Sequence, residues 1–138
     1  MDERTQRALP GSGRRVSGRR VPAWLPAIAW AGLIFALSAQ PNLRFVPDAG
    51  LDFFVRKLGH MGVFGILALL SWRALARTTA WRRPWAWAFA LAVLYAASDE
   101  LHQGLVAGRH PSVLDVAIDA TGALLALVAV GRIRARRS

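Results

Sequence analysis

From Val21 to Leu43 no residue is charged, a run of 23 positions bounded by Arg19 and Arg20 on one side and Arg44 on the other. At about 1.5 Å per helical residue, such a run spans a hydrocarbon core of roughly 30 Å. Pro22 and Pro26 fall in its first turns and Gln40-Pro41-Asn42 ends it, so a helix is expected over 23–39. The competing reading is a cleaved signal peptide. The uncharged run exceeds a normal signal core and Ala36-Leu37-Ser38 is a mediocre cleavage site, so the helix is read as retained.

Further along the chain, apolar segments alternate with basic ones. Leu58–Trp72 is apolar but short for a span. It reaches full length only if its helix begins earlier, near Leu51, and runs to about Ala76, which puts Asp52, Arg56, Lys57 and His60 in its first turns. The span itself is taken as 55–76. Arg73, Arg77, Arg82 and Arg83 follow, then a helix over 84–101 that opens on Pro84, a favourable first-turn residue. A polar loop, Gly104 to Pro111, leads into a last helix over 113–131 that carries Asp115 and Asp119 in its first half. These elements form one membrane domain, 21–131, between a disordered basic tail at 1–20 and a short basic tail at 132–138. The fold class is all-α, a bundle of four transmembrane helices.

Composition tests that reading. The chain of 138 residues has a net charge of +10, which in a small protein suggests nucleic acid, yet 54% of residues are hydrophobic and only 19% charged. That apolar content excludes disorder of the whole chain, and the lack of cysteine excludes a disulfide scaffold and any cysteine-based zinc site. The distribution of charge decides between nucleic acid and membrane. With four spans, both tails and the middle loop share one side; that side holds fourteen arginines against Asp2 and Glu3. The other side holds Arg44, Arg56, Lys57 and Arg109 against six acids. The positive-inside rule therefore places both termini on the cytoplasmic side of the membrane. The arginines flank apolar spans instead of forming one aromatic-interleaved face, so nucleic acid is not an expected partner. Their expected contacts are anionic membrane lipids. The six tryptophans mostly lie near the basic ends, as interface anchors do. A soluble bundle is the alternative architecture, and the runs show no consistent polar face to support it.

The polar residues at the non-cytoplasmic end carry the chemistry. A charged side chain at the centre of a membrane helix costs about 2.5–3.5 kcal/mol on insertion scales, so such residues face the bundle interior or water. Asp52, Arg56, His60 and Phe64 lie on one helical stripe, with Lys57 three residues before His60. Asp52–Arg56 reads as an ordinary i,i+4 pair. Asp99, His102 and Gln103 share a face, with Glu100 about 100° away. Asp115 and Asp119 are an i,i+4 pair. If the stripes converge, Lys57, His60, Asp99, Glu100, Asp115 and Asp119 enclose a pocket that Arg109 can cover. His102 and His110 are expected in wet positions at a helix end and in a loop. Gly59, Gly62, Gly65 and Ala68 on the second helix, and Gly122, Ala123 and Ala126 on the last, read as small residues for close helix packing.

These residues occur in an ordered set: Phe35-x-x-Ser38, Lys57-x-x-His60-x-x-x-Phe64, Ser98-Asp99-Glu100-Leu101-His102-Gln103, Gly108-Arg109, and Ser112-x-x-Asp115-Val116-x-x-Asp119-x-x-Gly122. The set resembles the VanZ-like family of small bacterial membrane proteins, over about Trp24 to Gly131. The resemblance implies a four-helix inner-membrane protein. Name-giving members are linked to low-level resistance to the glycopeptide teicoplanin, so an effect on glycopeptide susceptibility is an expectation that comes from the resemblance. One position departs: the family often has Asn where this chain has Asp119, which adds a negative charge.

Three functions follow from this constellation. The first is binding of an anionic lipid headgroup or a cell-wall precursor at the envelope face, with Lys57 and Arg109 holding phosphate and Gln103, Asp115 and Asp119 completing the binding set. The second is a membrane enzyme for phosphoester chemistry, with His60, Asp99 and Glu100 as acid/base residues; paired acids could hold Mg²⁺ or another divalent cation, although no metal ligand set is assigned. The third is a proton- or ion-coupled transporter using Asp99, Asp115 and Asp119, which four spans without a visible inverted repeat make less attractive.

Overall fold

The structure is a computed structural model that describes residues 22–40, 46–106 and 111–137. The expected basic tail at 1–20 and the site candidate Arg109, with Arg44 and His110, lie outside the described residues. Among the described residues there are four helices and no strand: α1 (Leu25–Ser38), α2 (Ala49–Thr78), α3 (Pro84–Gln103) and α4 (Val113–Ala135).

Local chemistry explains the boundaries. Proline stands in the first turn of α1 and of α3, where its missing N–H costs nothing. Asp48 caps α2 by accepting from Leu51 N–H at 2.8 Å. Asp52 accepts a further bond from Val46 N–H at 3.2 Å and pairs with Arg56 at 3.1 Å, the expected i,i+4 pair. These caps explain why α2 begins at Ala49, close to the expected helix start near Leu51. Ser112 caps α4 through its side chain, accepting from Asp115 N–H. At its other end α4 runs on through Arg132 and Arg134 to Ala135, beyond the expected end at 131. Cations at a helix C-terminus interact favourably with the partial negative charge there, so the basic segment extends the helix.

The helices alternate in direction. Lys57 faces Asp115, His60 faces Asp119 and Gly65 meets Ala126, so α2 and α4 run parallel. Phe64 packs with Ala96 and Ala68 with Ala92, so α3 runs antiparallel to α2. Two hydrogen bonds tie α1 across this frame: Trp30 Nε1 donates to Val63 O at 2.8 Å and Tyr95 Oη to Ala31 O at 2.6 Å. Trp30 is therefore an internal donor and not an interface anchor. Helices α2 and α3 touch both α1 and α4, whereas α1 does not touch α4. In cross-section α2 and α3 are neighbours, with α1 and α4 on opposite sides of them.

The bundle inverts the polarity of a water-soluble protein. Its core is built of Ala27, Ala68, Ala74, Ala88, Ala92, Ala96 and Ala123 with a few larger residues, and it also encloses Asp52, Asp99, Glu100 and Asp119. Its exterior carries Ile28, Phe54, Leu58, Leu94 and Leu101, each at least 64% exposed. Water-soluble monomers rarely expose apolar surface on this scale. By length and composition α2 and α4 can each cross a membrane, while α1, at 14 residues, is a shorter apolar helix.

Candidate functional site

The site lies where α1 and α3 end and α2 and α4 begin, at the polar end of the bundle. Its geometry is set by the contact between α2 and α4. A Cβ on Gly122 would land on the backbone of Met61, and one on Gly65 would come within 3.2 Å of both Gly122 O and Ala126 Cβ. The two backbones are therefore in direct contact, which only small residues allow. Gly59 and Gly62 meet nothing within 4 Å and take no part. A three-residue repeat drifts about 60° per step around a helix, so the expected stripe cannot keep one face toward α4.

That close approach brings Lys57 and His60 of α2 onto two acids of α4. Lys57 Nζ pairs with Asp115 Oδ1, and both side chains are about a quarter exposed. One turn deeper, His60 Nδ1 lies 3.4 Å from Asp119 Oδ1, and the Asp119 side chain is 1% exposed. Phe64, fully buried, lies beneath His60 with the rings nearly parallel and 6.3 Å apart, and the Tyr95 ring lies 6.2 Å from that of Phe64.

The end of α3 adds two buried acids. Asp99 Oδ2 accepts from Ser38 Oγ at 2.7 Å and from Gln103 Nε2 at 2.9 Å. Glu100 Oε2 accepts from the Ser112 N–H at 2.8 Å, which fixes the start of α4 against the end of α3. Asp99, Asp115 and Asp119 are all near enough to act electrostatically on His60, and Asp115, Asp119 and His60 on Glu100. The carboxylates therefore form one cluster.

Several polar atoms of this cluster are buried without a hydrogen-bond partner among the described residues: Asp99 Oδ1, Glu100 Oε1, both Asp119 oxygens, His60 Nδ1 and His102 Nε2. An unsatisfied buried polar group costs about 1–3 kcal/mol, and native proteins leave few of them. All six lie at one end of the bundle. Among the described residues no three of His, Asp or Glu are grouped so as to ligate a metal ion.

The structure brings together Lys57, His60, Asp99, Glu100, Gln103, Asp115 and Asp119, while Arg109 lies outside the described residues. His102 differs from expectation: its ring stacks on Phe35 with centroids 4.2 Å apart, and Nε2 is buried rather than wet. Two contributors were missing from the expected site, Ser38 and Ser112. A serine hydroxyl at a helix end is common and carries no charge, so only its place in the ordered motif set signalled Ser38. The Ser112 contact is made by its backbone and has no side-chain signature.

The family model described as VanZ/LLP1 matches residues 14–134 of the chain. No curated protein and no solved structure matches it. The match covers α1, α2, α3, all but the last residue of α4 and the described residues of the polar end, so the chain belongs to the VanZ-like family.

Proposed function

We propose that this chain spans the bacterial inner membrane four times, with both termini cytoplasmic, and that its outward-facing polar end binds the headgroup of an envelope lipid or cell-wall precursor. The observation that carries the reading is the set of buried carboxylate oxygens without partners, Asp99 Oδ1, Glu100 Oε1 and Asp119 Oδ1 and Oδ2. Such a set favours a ligand rich in donors, such as sugar or glycerol hydroxyls or an amine. Because Lys57 is already matched by Asp115, it contributes less to holding phosphate than its charge suggests. The alternating helix directions and the apolar exterior support the four spans.

A second reading has its own observation. His60 Nδ1 lies 3.4 Å from Asp119 Oδ1, and a carboxylate beside an imidazole is a pairing that can orient a histidine for proton transfer. On this reading the site transfers protons during phosphoester hydrolysis or transfer on the bound headgroup.

The test uses full-length protein in detergent with a panel of polyprenyl phosphates and glycerophospholipids, measuring both retention and product. Asp99→Asn keeps an oxygen to accept from Ser38 and Gln103, so the fold survives while the charge is lost. Retention of one lipid class without product, reduced roughly tenfold or more by Asp99→Asn, supports the binder. Product formation that His60→Gln abolishes supports the enzyme. Retention and product both unchanged by these substitutions would sink the site.

A further inference from the structure

At the polar end acids outnumber the basic side chains that face them. Among the described residues Arg56 pairs with Asp52, Lys57 with Asp115 and His60 with Asp119. Asp99 and Glu100 are left over, and their donors are neutral: the Ser38 hydroxyl and the Gln103 amide for Asp99, the Ser112 N–H for Glu100. Both side chains are nevertheless buried, at 3% and 4% exposed, and Asp119 is at 1%. Among the described residues no hydrogen-bond partner reaches Asp99 Oδ1, Glu100 Oε1 or either oxygen of Asp119, all of them buried. Asp119 acts electrostatically on Glu100, and Asp99 on Asp119, so the three carboxyl groups are near one another.

What these oxygens lack is positive charge together with donors. Water and sugar hydroxyls bring donors without charge, and a phosphate brings charge of the wrong sign. A divalent metal ion has the right sign, but it needs oxygens converging at about 2.0–2.6 Å. Among the described residues no three acids or histidines are grouped in that way. A primary ammonium brings charge and three N–H donors, each reaching an oxygen about 2.8 Å away, so it can bridge oxygens too widely spaced for a metal ion. A quaternary ammonium has the charge and no donor.

The surroundings are apolar. Phe53, Leu58, Leu101, Leu105, Val113 and Leu114 rim this end, each about half exposed or more. The Lys57 ammonium lies over the Phe53 ring, 5.2 Å from its centroid. Helix α1 reaches Ser38 after 14 residues, about 21 Å of helix against a hydrocarbon core of roughly 30 Å. Starting from the cytoplasmic boundary, it brings the Ser38–Asp99 contact below the outer surface of the hydrocarbon. An amine carried on a membrane lipid reaches that depth with its chains in their own solvent.

We propose that the polar end selects the primary ammonium of a membrane-lipid headgroup, received by Asp99, Glu100 and Asp119, with the lipid chains against the apolar rim. The inference rests on the headgroup reading given above and narrows it from donors in general to a cation that donates.

Full-length protein in an uncharged detergent, titrated with phosphatidylethanolamine, phosphatidylcholine or phosphatidylglycerol of the same acyl chains and read by native mass spectrometry, tests this. The first two headgroups differ only in the methyl groups that replace the N–H donors, and the third offers hydroxyls without an amine. Phosphatidylethanolamine should be retained at roughly tenfold lower concentration than either of the others, since one charge-assisted hydrogen bond is enough for that ratio. Asp99→Asn and Glu100→Gln each keep an oxygen to accept from Ser38 or from Ser112, so the helix ends stay joined while a charge is lost. Each should cut the preference several-fold, and the two together should erase it. Asp48→Asn removes a charge from the same end but outside the cluster, keeps an oxygen to cap α2, and should leave the preference intact. Equal retention of phosphatidylethanolamine and phosphatidylcholine, or a preference that survives the double substitution, would overturn the ammonium site. Phosphatidylglycerol held tightest would overturn it while leaving the headgroup reading in place. Free ethanolamine displacing the lipid at equal concentration would overturn it by showing an amine site with no use for hydrocarbon. Retention of none of the three lipids would sink the headgroup reading itself, and this inference with it.

Discussion

Asp119 is the residue on which the polar end turns. It is almost fully buried, neither of its oxygens has a hydrogen-bond partner among the described residues, and its near neighbour is His60 at 3.4 Å. One turn above, Lys57 and Asp115 form the more accessible pair. In a partly buried pair each charge is tolerated because the other is present, and removing one leaves the other uncompensated. Lys57→Met and Asp115→Leu should therefore each destabilise the bundle, and the double substitution should cost less than the two together. The expected coupling is about 0.5–3 kcal/mol, measured by denaturant titration of the detergent-solubilised protein. Strictly additive costs would mean that the pair does not help hold α2 to α4.

The helices differ in what holds them. Contact between α2 and α4 is backbone against backbone at Gly65 and Gly122, so its tolerance for added volume is low. Gly122→Leu should push the helices apart, separate His60 from Asp119 and destabilise by about 1–3 kcal/mol or more, as overpacking does. Gly62→Ala is the matched control on α2. It meets nothing within 4 Å, and Ala is the better helix former by about 1 kcal/mol, so thermal stability should hold or rise. Equal losses in the two variants would refute the α2–α4 contact as the element that sets the site. By contrast, α1 is held by hydrogen bonds from Trp30, Tyr95 and Ser38 and by burial of Ile34 in the core. It is the shortest helix and does not touch α4, so of the four it has the least to keep it in place.

For the whole molecule the defining property is the separation of charge. The described acids gather at one end and all the described arginines except Arg56 at the other, with an apolar exterior between them. The absence of cysteine makes that polarity testable by labelling. Leu105→Cys, at a position 85% exposed beyond the end of α3, should react with a membrane-impermeant maleimide added to intact cells. Trp81→Cys, in the α2–α3 connection, should react only after the membrane is opened. The reverse pattern would invert the proposed orientation.

Much of this was legible in the residues themselves. Helix number, order and approximate ends follow from local signals: uncharged runs, prolines in first turns, and basic segments between apolar ones. The gathering of acids at one end follows from the alternation of helix direction, which short connections make almost obligatory. What sequence could not specify is rotation and approach. A helix carrying Lys57, His60, Gly59, Gly62 and Gly65 has several faces that could meet a neighbour, and the choice rests on how closely two backbones can pack. Tertiary structure decided that Gly65 and Gly122 meet, and that choice delivers Lys57 to Asp115 and His60 to Asp119. It also decided that Ser38 of α1 donates to Asp99, and that the Ser112 backbone satisfies Glu100. Patterns along one helix are local and can be read in order. Which side chain meets which across helices depends on the orientation of all four at once.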